Sequence, residues 1–108
     1  MIRGECIRIK SPRGARGSEQ KGERYGVIVQ AGRFLGPGSG TVLVAPTSQS
    51  APAAPFRPEV DFGRGKALVL AEQVSAHAVE RLGESVGHLT LDEMLEVDRA
   101  LMLMLGLD

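Results

Sequence analysis

Short apolar segments, separated by glycine, proline and charged residues, limit the fold of this chain of 108 residues more than any other feature. Apolar runs of this length, alternating or continuous and bounded by turn residues, are typical of β-strands. We expect strands within residues 2–10, 24–30, 41–49, 59–62, 66–74 and 85–89. Short strands followed by one terminal helix predict a mainly β protein: a small, strongly bent antiparallel barrel with short helices and a C-terminal α-helix as cover.

The last third of the chain is predicted to hold a single helical or 3-10 turn over residues 75–83 and the terminal helix. Thr90 and Glu93 have the spacing of a capping box, in which each side chain satisfies the other residue's backbone N–H. Gly106 is well placed as the C-terminal cap. The apolar side chains of the helix form a broad face, made by Leu91, Met94, Leu95, Leu101, Met102 and Leu105. This face is wider than a surface helix needs, so part of it is expected to pack on a second chain.

Length and composition predict one domain over residues 1–108. Cys6 is the only cysteine, which excludes an internal disulfide and fits a reducing cytoplasm. No apolar run approaches the roughly 20 residues of a membrane span, so we expect a soluble cytoplasmic protein without membrane association. The sequence has no CxxC or HxxxH spacing, and we expect no metal and no cofactor. His77, in the predicted helical turn, and His88, in a strand, are assigned structural roles.

The zero net charge conceals two oppositely charged halves. Residues 1–54 carry eight basic and three acidic side chains, a net charge of +5, and residues 55–108 carry five basic and ten acidic ones, a net charge of −5. An anionic partner such as nucleic acid is expected at the basic half, because lysine and arginine neutralise phosphates. A solvated charged face is the alternative reading of the same pattern.

Two sets of polar residues flank predicted strands. Glu19, Gln20 and Arg24 lie before and at the start of the second strand, and Thr47, Ser48 and Gln49 lie at the end of the third strand. If the two strands are neighbours, these side chains converge on one site. A guanidinium can bind the oxygens of a phosphodiester, a hydroxyl adds a neutral donor, and a carboxylate can take a proton from the ribose 2′-OH of RNA. A surface ion pair between a glutamate and Arg24 is the alternative. The segment "GPGSGT" fits neither a serine-hydrolase elbow nor a P-loop and is assigned to a turn.

A series of sequence blocks resembles the MazF/PemK-type toxins in order and spacing. They are "RGE" (3–5), "GSEQKGER" (17–24), "GVIVQ" (26–30), "TVLVAPTSQ" (41–49), "FRPEV" (56–60), "AEQV" (71–74), "GHLT" (87–90) and "DRALMLMLGL" (98–107). The resemblance covers nearly the whole chain, and "GSEQKGER" is its most specific part. It implies an SH3-like barrel of the PemK/CcdB type, usually a homodimer.

The resemblance also implies an activity, since most members of this family are metal-independent endoribonucleases of toxin–antitoxin systems that cut single-stranded RNA at short motifs. Arg24 matches the family's catalytic arginine, and Thr47 matches its catalytic threonine. "PTSQ" is one residue shorter than the common "PLTSQ", so Ser48 remains an alternative to Thr47. Glu19 matches an acidic residue proposed as the general base in some members. The expected antitoxin partner wraps a disordered, acidic C-terminal segment over the basic groove.

Further side chains are assigned to RNA binding, namely Gln20, Lys21, Ser48, Gln49, Phe56, Arg57, Arg13 and Arg16. Phe56 is chosen because aromatic rings stack on unpaired bases, with anchoring of the ring into the barrel as its alternative.

The chain departs from the family pattern in three places. Tyr25 instead of proline follows Arg24, the first strand lacks the usual aromatic residue, and Lys10 and Ser11 replace an acidic residue before the loop proline. The more basic loop is expected to alter RNA selection or to weaken the enzyme.

Two alternatives to a nuclease remain on the same fold. One is a toxin that poisons gyrase without being an enzyme; gyrase-binding relatives end in a segment containing Trp, and this chain has no Trp. The other is a catalytically silent module that binds antitoxin or nucleic acid, an option favoured by the Tyr25 departure. Toxicity retained after Arg24→Ala would favour either alternative over the nuclease.

Overall fold

The computed structural model describes residues 1–10 and 23–108. Its strands are β1 (Glu5–Ile9), β2 (Arg24–Ile28), β3 (Thr41–Ser48), β4 (Glu59–Val60), β5 (Ala67–Val69), β6 (Ser75–Ala78) and β7 (Leu82–His88). Short 3-10 turns lie at Gly32–Phe34, Ala71–Gln73 and Val79–Arg81, and the helix α1 spans Leu91–Leu105. The predicted mainly β architecture with a C-terminal helix is confirmed. Most of the loop predicted over residues 11–23 lies outside the described residues.

The strands form one curled antiparallel sheet in the order β4-β5-β3-β2-β1-β7, and β6 adds to β3. The long strand β3 makes this curl possible, because its second edge pairs with two different strands. Residues 41–44 pair with β6, and residues 47–48 pair with β5. Pro46 lies between these two pairings, and on the other edge of β3 it is opposite Gly26 of β2. The Pro46 carbonyl accepts a hydrogen bond from the Leu70 N–H at 2.8 Å.

The central strands are apolar on both faces because both faces of the sheet are covered. On one face Cys6, Val27 and Ala45 belong to a cluster that includes Met94 and Val97 of α1. On the other face the buried side chains are Ile7, Ile9, Ile28, Val42 and Val44. Cys6 is fully buried, as a small packed residue should be, and burial raises the pKa of its thiol to about 12.

The helix α1 begins and ends as its sequence predicts. The Glu93 N–H donates to Thr90 Oγ1 at 3.1 Å and the Thr90 N–H donates to Glu93 Oε1 at 2.8 Å, which completes the capping box. Gly106 ends the helix in the left-handed conformation, with φ of 71°. No helix in the described part of the chain has the length and hydropathy to cross a membrane.

The broad apolar face of α1 is only partly covered in the single chain. Met94 is buried and Leu101 is half-buried, whereas the other four predicted members, Leu91, Leu95, Met102 and Leu105, are exposed. Leu103, Met104 and Leu107 extend this exposed apolar surface. Packing of the surface on a second chain stays a prediction.

Two predicted elements are only partly confirmed. Residues 75–78 were expected in a helical turn but form β6, and only residues 79–81 form a 3-10 turn. The reason is long-range: the edge of β3 at residues 41–44 supplies backbone partners that override the helical preference of the two alanines of β6. His77 is therefore a strand residue. The strand expected over 66–74 covers only residues 67–69, and a 3-10 turn follows at Ala71–Gln73.

Candidate active site

The pairing of β2 with β3 brings Arg24 and Thr47 to one end of the sheet. The two strands are antiparallel neighbours with Gly26 opposite Pro46 and Val27 opposite Ala45. Arg24, the first residue of β2, therefore lies beside the last residues of β3. Thr47 is tied to the same segment, because its hydroxyl donates to the Tyr25 carbonyl at 3.3 Å.

A cleft of about 330 Å³ opens at this end of the sheet. Its volume lies at the lower limit of the roughly 300 to 1,000 Å³ of small-ligand sites. The walls combine charged, hydroxyl, amide and aromatic side chains, contributed by Glu23, Arg24, Tyr25, Thr47, Ser48, Gln49, Phe62, Arg64, Gly65 and Ala67. Four of the predicted site residues, Arg24, Thr47, Ser48 and Gln49, thus share one cleft.

The two hydroxyls in the cleft have different surroundings. Ser48 Oγ accepts hydrogen bonds from the N–H groups of Ser50 and Ala51, at 3.2 and 3.0 Å, and so shapes the turn after β3. The bond from Thr47 to the Tyr25 carbonyl, at 3.3 Å, is long for an O–H donor. Such a weak bond can be exchanged for one to a bound ligand at little cost.

Tyr25, Glu23 and Arg64 form one wall of the cleft that the sequence reasoning missed. The Tyr25 hydroxyl donates to Glu23 Oε2 at 3.0 Å, and burial together with this bond raises the pKa of Tyr25. The Arg64 guanidinium carbon lies 4.7 Å from the centre of the Tyr25 ring, a cation–π distance. The ring also meets the Phe62 ring edge-on at 5.9 Å. The "GRG" at 63–65, placed between two short strands, was the only available signal for Arg64.

Comparison with solved structures identifies the fold. A mycobacterial endoribonuclease, solved in complex with its cognate antitoxin, superposes with a TM-score of 0.80 at 19% identity, over 100% of this chain and 97% of that one. MazF of Deinococcus radiodurans superposes with a TM-score of 0.77 at 20% identity, over 98% and 96% of the two chains. At these identities the likeness establishes a shared fold.

The sequence comparisons decide the family. The family model of PemK-like, MazF-like toxins of type II toxin–antitoxin systems matches residues 2–105. The chain belongs to this family. Rv3098A of Mycobacterium tuberculosis, a protein provisionally named a toxin, is 37% identical in an alignment of length 108 that covers 99% of each chain. The resemblance noted in the sequence is therefore confirmed.

Two predicted RNA-binding residues of this MazF-like toxin lie away from the cleft lining. The Arg57 guanidinium donates to Glu72 Oε2 at 2.6 Å and to the Pro52 carbonyl at 3.0 Å, and it lies 5.6 Å from the half-buried Phe56 ring. The hydrogen bond from Arg57 holds the pKa of Glu72 below its ordinary value. In this arrangement Arg57 ties the proline-rich loop to the turn after β5. A role of Phe56 and Arg57 in RNA binding remains a prediction.

The other predicted site residues lie outside the described residues: Glu19, Gln20, Lys21, Arg13 and Arg16. Within residues 1–10 and 23–108, no group of three or more His, Cys, Asp or Glu side chains is arranged to hold a metal ion. His77 is partly buried and close to the Ser75 hydroxyl, at 3.2 Å. Burial lowers the pKa of His77, and the charges of Arg81 and Arg24 lower it further.

Proposed function

We propose that this MazF-like toxin is a sequence-specific endoribonuclease, active without a metal ion, and that the cleft is its active site. The observation that carries the proposal is the meeting of Arg24 and Thr47 in one cleft, the two residues that match the family's catalytic arginine and threonine. Endoribonucleases share the fold, as the mycobacterial enzyme illustrates. The substrate is single-stranded RNA.

For this reaction the protein must stabilise the charge on the phosphate, donate a neutral hydrogen bond to it and transfer protons. The ribose 2′-OH attacks the adjacent phosphorus, the bond from phosphorus to the 5′ oxygen of the next nucleotide breaks, and a cyclic phosphate and a 5′-OH result. The Arg24 guanidinium binds the non-bridging oxygens as negative charge builds up on them in the transition state. Thr47 adds a neutral hydrogen-bond donor once its hydroxyl turns from the Tyr25 carbonyl to the phosphate. Hydrolysis of the cyclic product leaves a 3′-phosphate.

Proton transfer is assigned to Glu19, which matches the acidic residue proposed as general base in some family members. Its carboxylate takes the proton of the 2′-OH, and the leaving 5′ oxygen takes a proton from a protonated group or from water. RNA binding is assigned to Gln49 in the cleft and to Arg13, Arg16, Gln20 and Lys21, which are neighbours of Glu19 in the sequence.

The proposed setting is the cytoplasm, with two protein partners. The first is a second copy of the chain, which would cover the exposed apolar surface of α1, since such surfaces commonly mark interfaces. The second is a cognate antitoxin. The mycobacterial structure and a MazE–MazF structure from Deinococcus radiodurans, with a TM-score of 0.78, each contain an antitoxin. A disordered acidic segment of such a partner suits a basic cleft.

The decisive experiment incubates the purified protein with a long unstructured RNA in the presence of EDTA and maps the ends of the fragments. Arg24→Ala is compared with Arg33→Ala, an exposed arginine in a 3-10 turn that does not line the cleft. We expect discrete cuts at a short motif for the wild type and for Arg33→Ala, and a loss of roughly 10²-fold or more for Arg24→Ala.

Equal cleavage by the two variants would refute the role of Arg24. No cleavage by the wild type, combined with toxicity in cells that survives Arg24→Ala, would favour a poison that is not an enzyme or a silent binding module.

A further inference from the structure

We propose that Arg64 is a specificity-determining residue that selects a guanine next to the cut phosphate. The inference rests on the proposed function and deepens it, because it names a base and the side chain that reads it. Three observations carry it: the fixed backbone around Arg64, the stacking of its guanidinium on Tyr25, and the place of both side chains in the cleft beside Arg24.

The backbone that presents Arg64 is held in place on both sides. Gly63 and Gly65 have φ of 99° and 86°, a left-handed conformation that favours glycine. The Gln49 side chain donates to the Arg64 carbonyl at 2.9 Å, and the Gly63 N–H donates to the Asp61 carboxylate at 2.9 Å. Gln49 comes from the end of β3, directly after Thr47 and Ser48, so the loop of Arg64 is attached to the strand that carries the catalytic hydroxyl.

The guanidinium itself is restrained by Tyr25. It packs against the ring at 4.7 Å, while the ring is fixed by its edge contact with Phe62 and by the hydrogen bond from its hydroxyl to Glu23. This contact covers part of the guanidinium, whose planar fork of N–H donors suits two adjacent acceptors. Among residues 1–10 and 23–108, no carboxylate forms an ion pair with Arg64, so its donors are not used by the described part of the chain.

A planar fork of fixed orientation suits a base edge better than a phosphate group. Arg24 already supplies the charge that the cut phosphate needs, and any flexible cation would serve a further phosphate. Guanine presents two adjacent acceptors, O6 and N7, to which arginine binds with two parallel hydrogen bonds. Unpaired RNA exposes this edge and also allows the base to stack on an arginine plane.

The position in the chain decides which base is read. Tyr25 directly follows Arg24, so the platform under Arg64 and the proposed phosphate-binding group share one backbone segment. A base held by Arg64 therefore belongs to a nucleotide adjacent to the phosphate held by Arg24. Tyr25 also stands where the family usually has proline, so this stack is a feature of the chain's own sequence.

The test replaces one atom of the base. After the cut motif of the wild type has been mapped, each guanine next to the cut is replaced by 7-deazaguanine, which lacks the N7 acceptor. We expect cleavage by the wild type to fall by roughly 10- to 150-fold, because one of the two hydrogen bonds from the charged guanidinium is lost. Arg64→Ala and Arg64→Lys should cut both RNAs at similar rates. Lys66→Ala, an exposed basic residue of the same loop that pairs with Glu59, is the matched control and should discriminate as the wild type does.

Three results would overturn the inference: a motif without guanine next to the cut, a wild type insensitive to the 7-deaza substitution, or an Arg64→Ala loss that is equal for both RNAs. The last result would identify Arg64 as a phosphate contact. If the wild type cuts no RNA, the proposed function fails, and binding of a set of guanine-containing oligonucleotides still decides the inference. Weaker binding of the 7-deaza forms by the wild type, but not by Arg64→Ala, would support it, and equal binding would refute it.

Discussion

Replacing Gly26 by alanine tests whether the contact of β2 with β3 sets up the cleft. Gly26 lies opposite Pro46, two residues after Arg24. A Cβ added there would lie 2.5 Å from Val44 Cγ1, 3.0 Å from Ile9 Cδ1 and 3.1 Å from the Ala45 carbonyl oxygen. Val44 is fully buried and branched at Cβ, so it has little room to move aside. The strands must therefore separate locally to accept the methyl group.

The loss of unfolding free energy in Gly26→Ala can be estimated by comparison with Gly32→Ala. A Cβ at Gly32 would meet no atom within 4 Å. Both substitutions remove freedom from the unfolded chain, which stabilises the protein by about 0.4 to 1 kcal/mol where no clash occurs. Overpacking a filled core costs about 1 to 3 kcal/mol. Because the entropic gain is shared, the difference in unfolding free energy between the two variants should be about 1 to 3 kcal/mol.

The assay is thermal unfolding of both variants, followed by circular dichroism at one protein concentration. We expect Gly26→Ala to melt at least about 4 °C below Gly32→Ala. In the RNA cleavage assay, below both melting temperatures, Gly26→Ala should lose up to about 10²-fold in rate, because small displacements of reacting groups have such effects. Melting temperatures within about 1 °C of each other would show that the sheet absorbs the methyl group and would refute the reasoning.

Three further predictions concern single side chains. Because Arg57 lowers the pKa of Glu72, the stability contributed by this pair is present above pH 4.5 and is lost as the pH falls through the lowered value. In urea titrations Glu72→Gln should therefore be less stable than the wild type at pH 7 and approach it at lower pH; a gap independent of pH would contradict this. Thr47→Val should reduce RNA cleavage by roughly 10² to 10³-fold, whereas Ser48→Ala should cost less than about 10-fold; the reverse order would assign the catalytic hydroxyl to Ser48. The buried Cys6 thiol, with its pKa raised to about 12, should resist iodoacetamide in the folded protein at pH 8 and react in urea, as mass spectrometry can show.

The elements that the sequence predicted correctly depend on local patterns. The start and the end of the helix α1 are encoded within one stretch, through the capping box and Gly106. Of its three buried residues, Met94, Val97 and Ala100, only Met94 belongs to the predicted apolar face, because which side of the helix is covered depends on the sheet. β6 could not be predicted in this way, because its strand conformation depends on pairing with β3, more than thirty residues earlier. Local propensity is overridden where a distant strand edge offers backbone hydrogen bonds.

In the candidate site, too, residues in recognisable local sequence blocks could be predicted, and residues placed by long-range contacts could not. Arg24 and Thr47 could be chosen from the sequence because they stand in recognisable blocks at strand ends. Arg64 could not, because its place in the cleft depends on the ring of Tyr25 and on Gln49, both distant in sequence. Arg57 was assigned to RNA binding because its neighbour Phe56 indicated a nucleic-acid contact. The sequence did not reveal its hydrogen-bond partner Glu72, which lies fifteen residues away.

The central claim, that the cleft lets RNA act as its own nucleophile, is tested most directly at the ribose. Two RNA oligonucleotides carrying the mapped motif are compared, one natural and one with a single 2′-deoxy nucleotide on the 5′ side of the cut. We predict that the wild type cuts the natural RNA in EDTA to a cyclic phosphate and a 5′-OH, identified by mass spectrometry, and leaves the 2′-deoxy RNA intact. Cleavage of the 2′-deoxy RNA at the same bond, or products with a 5′-phosphate, would contradict the mechanism.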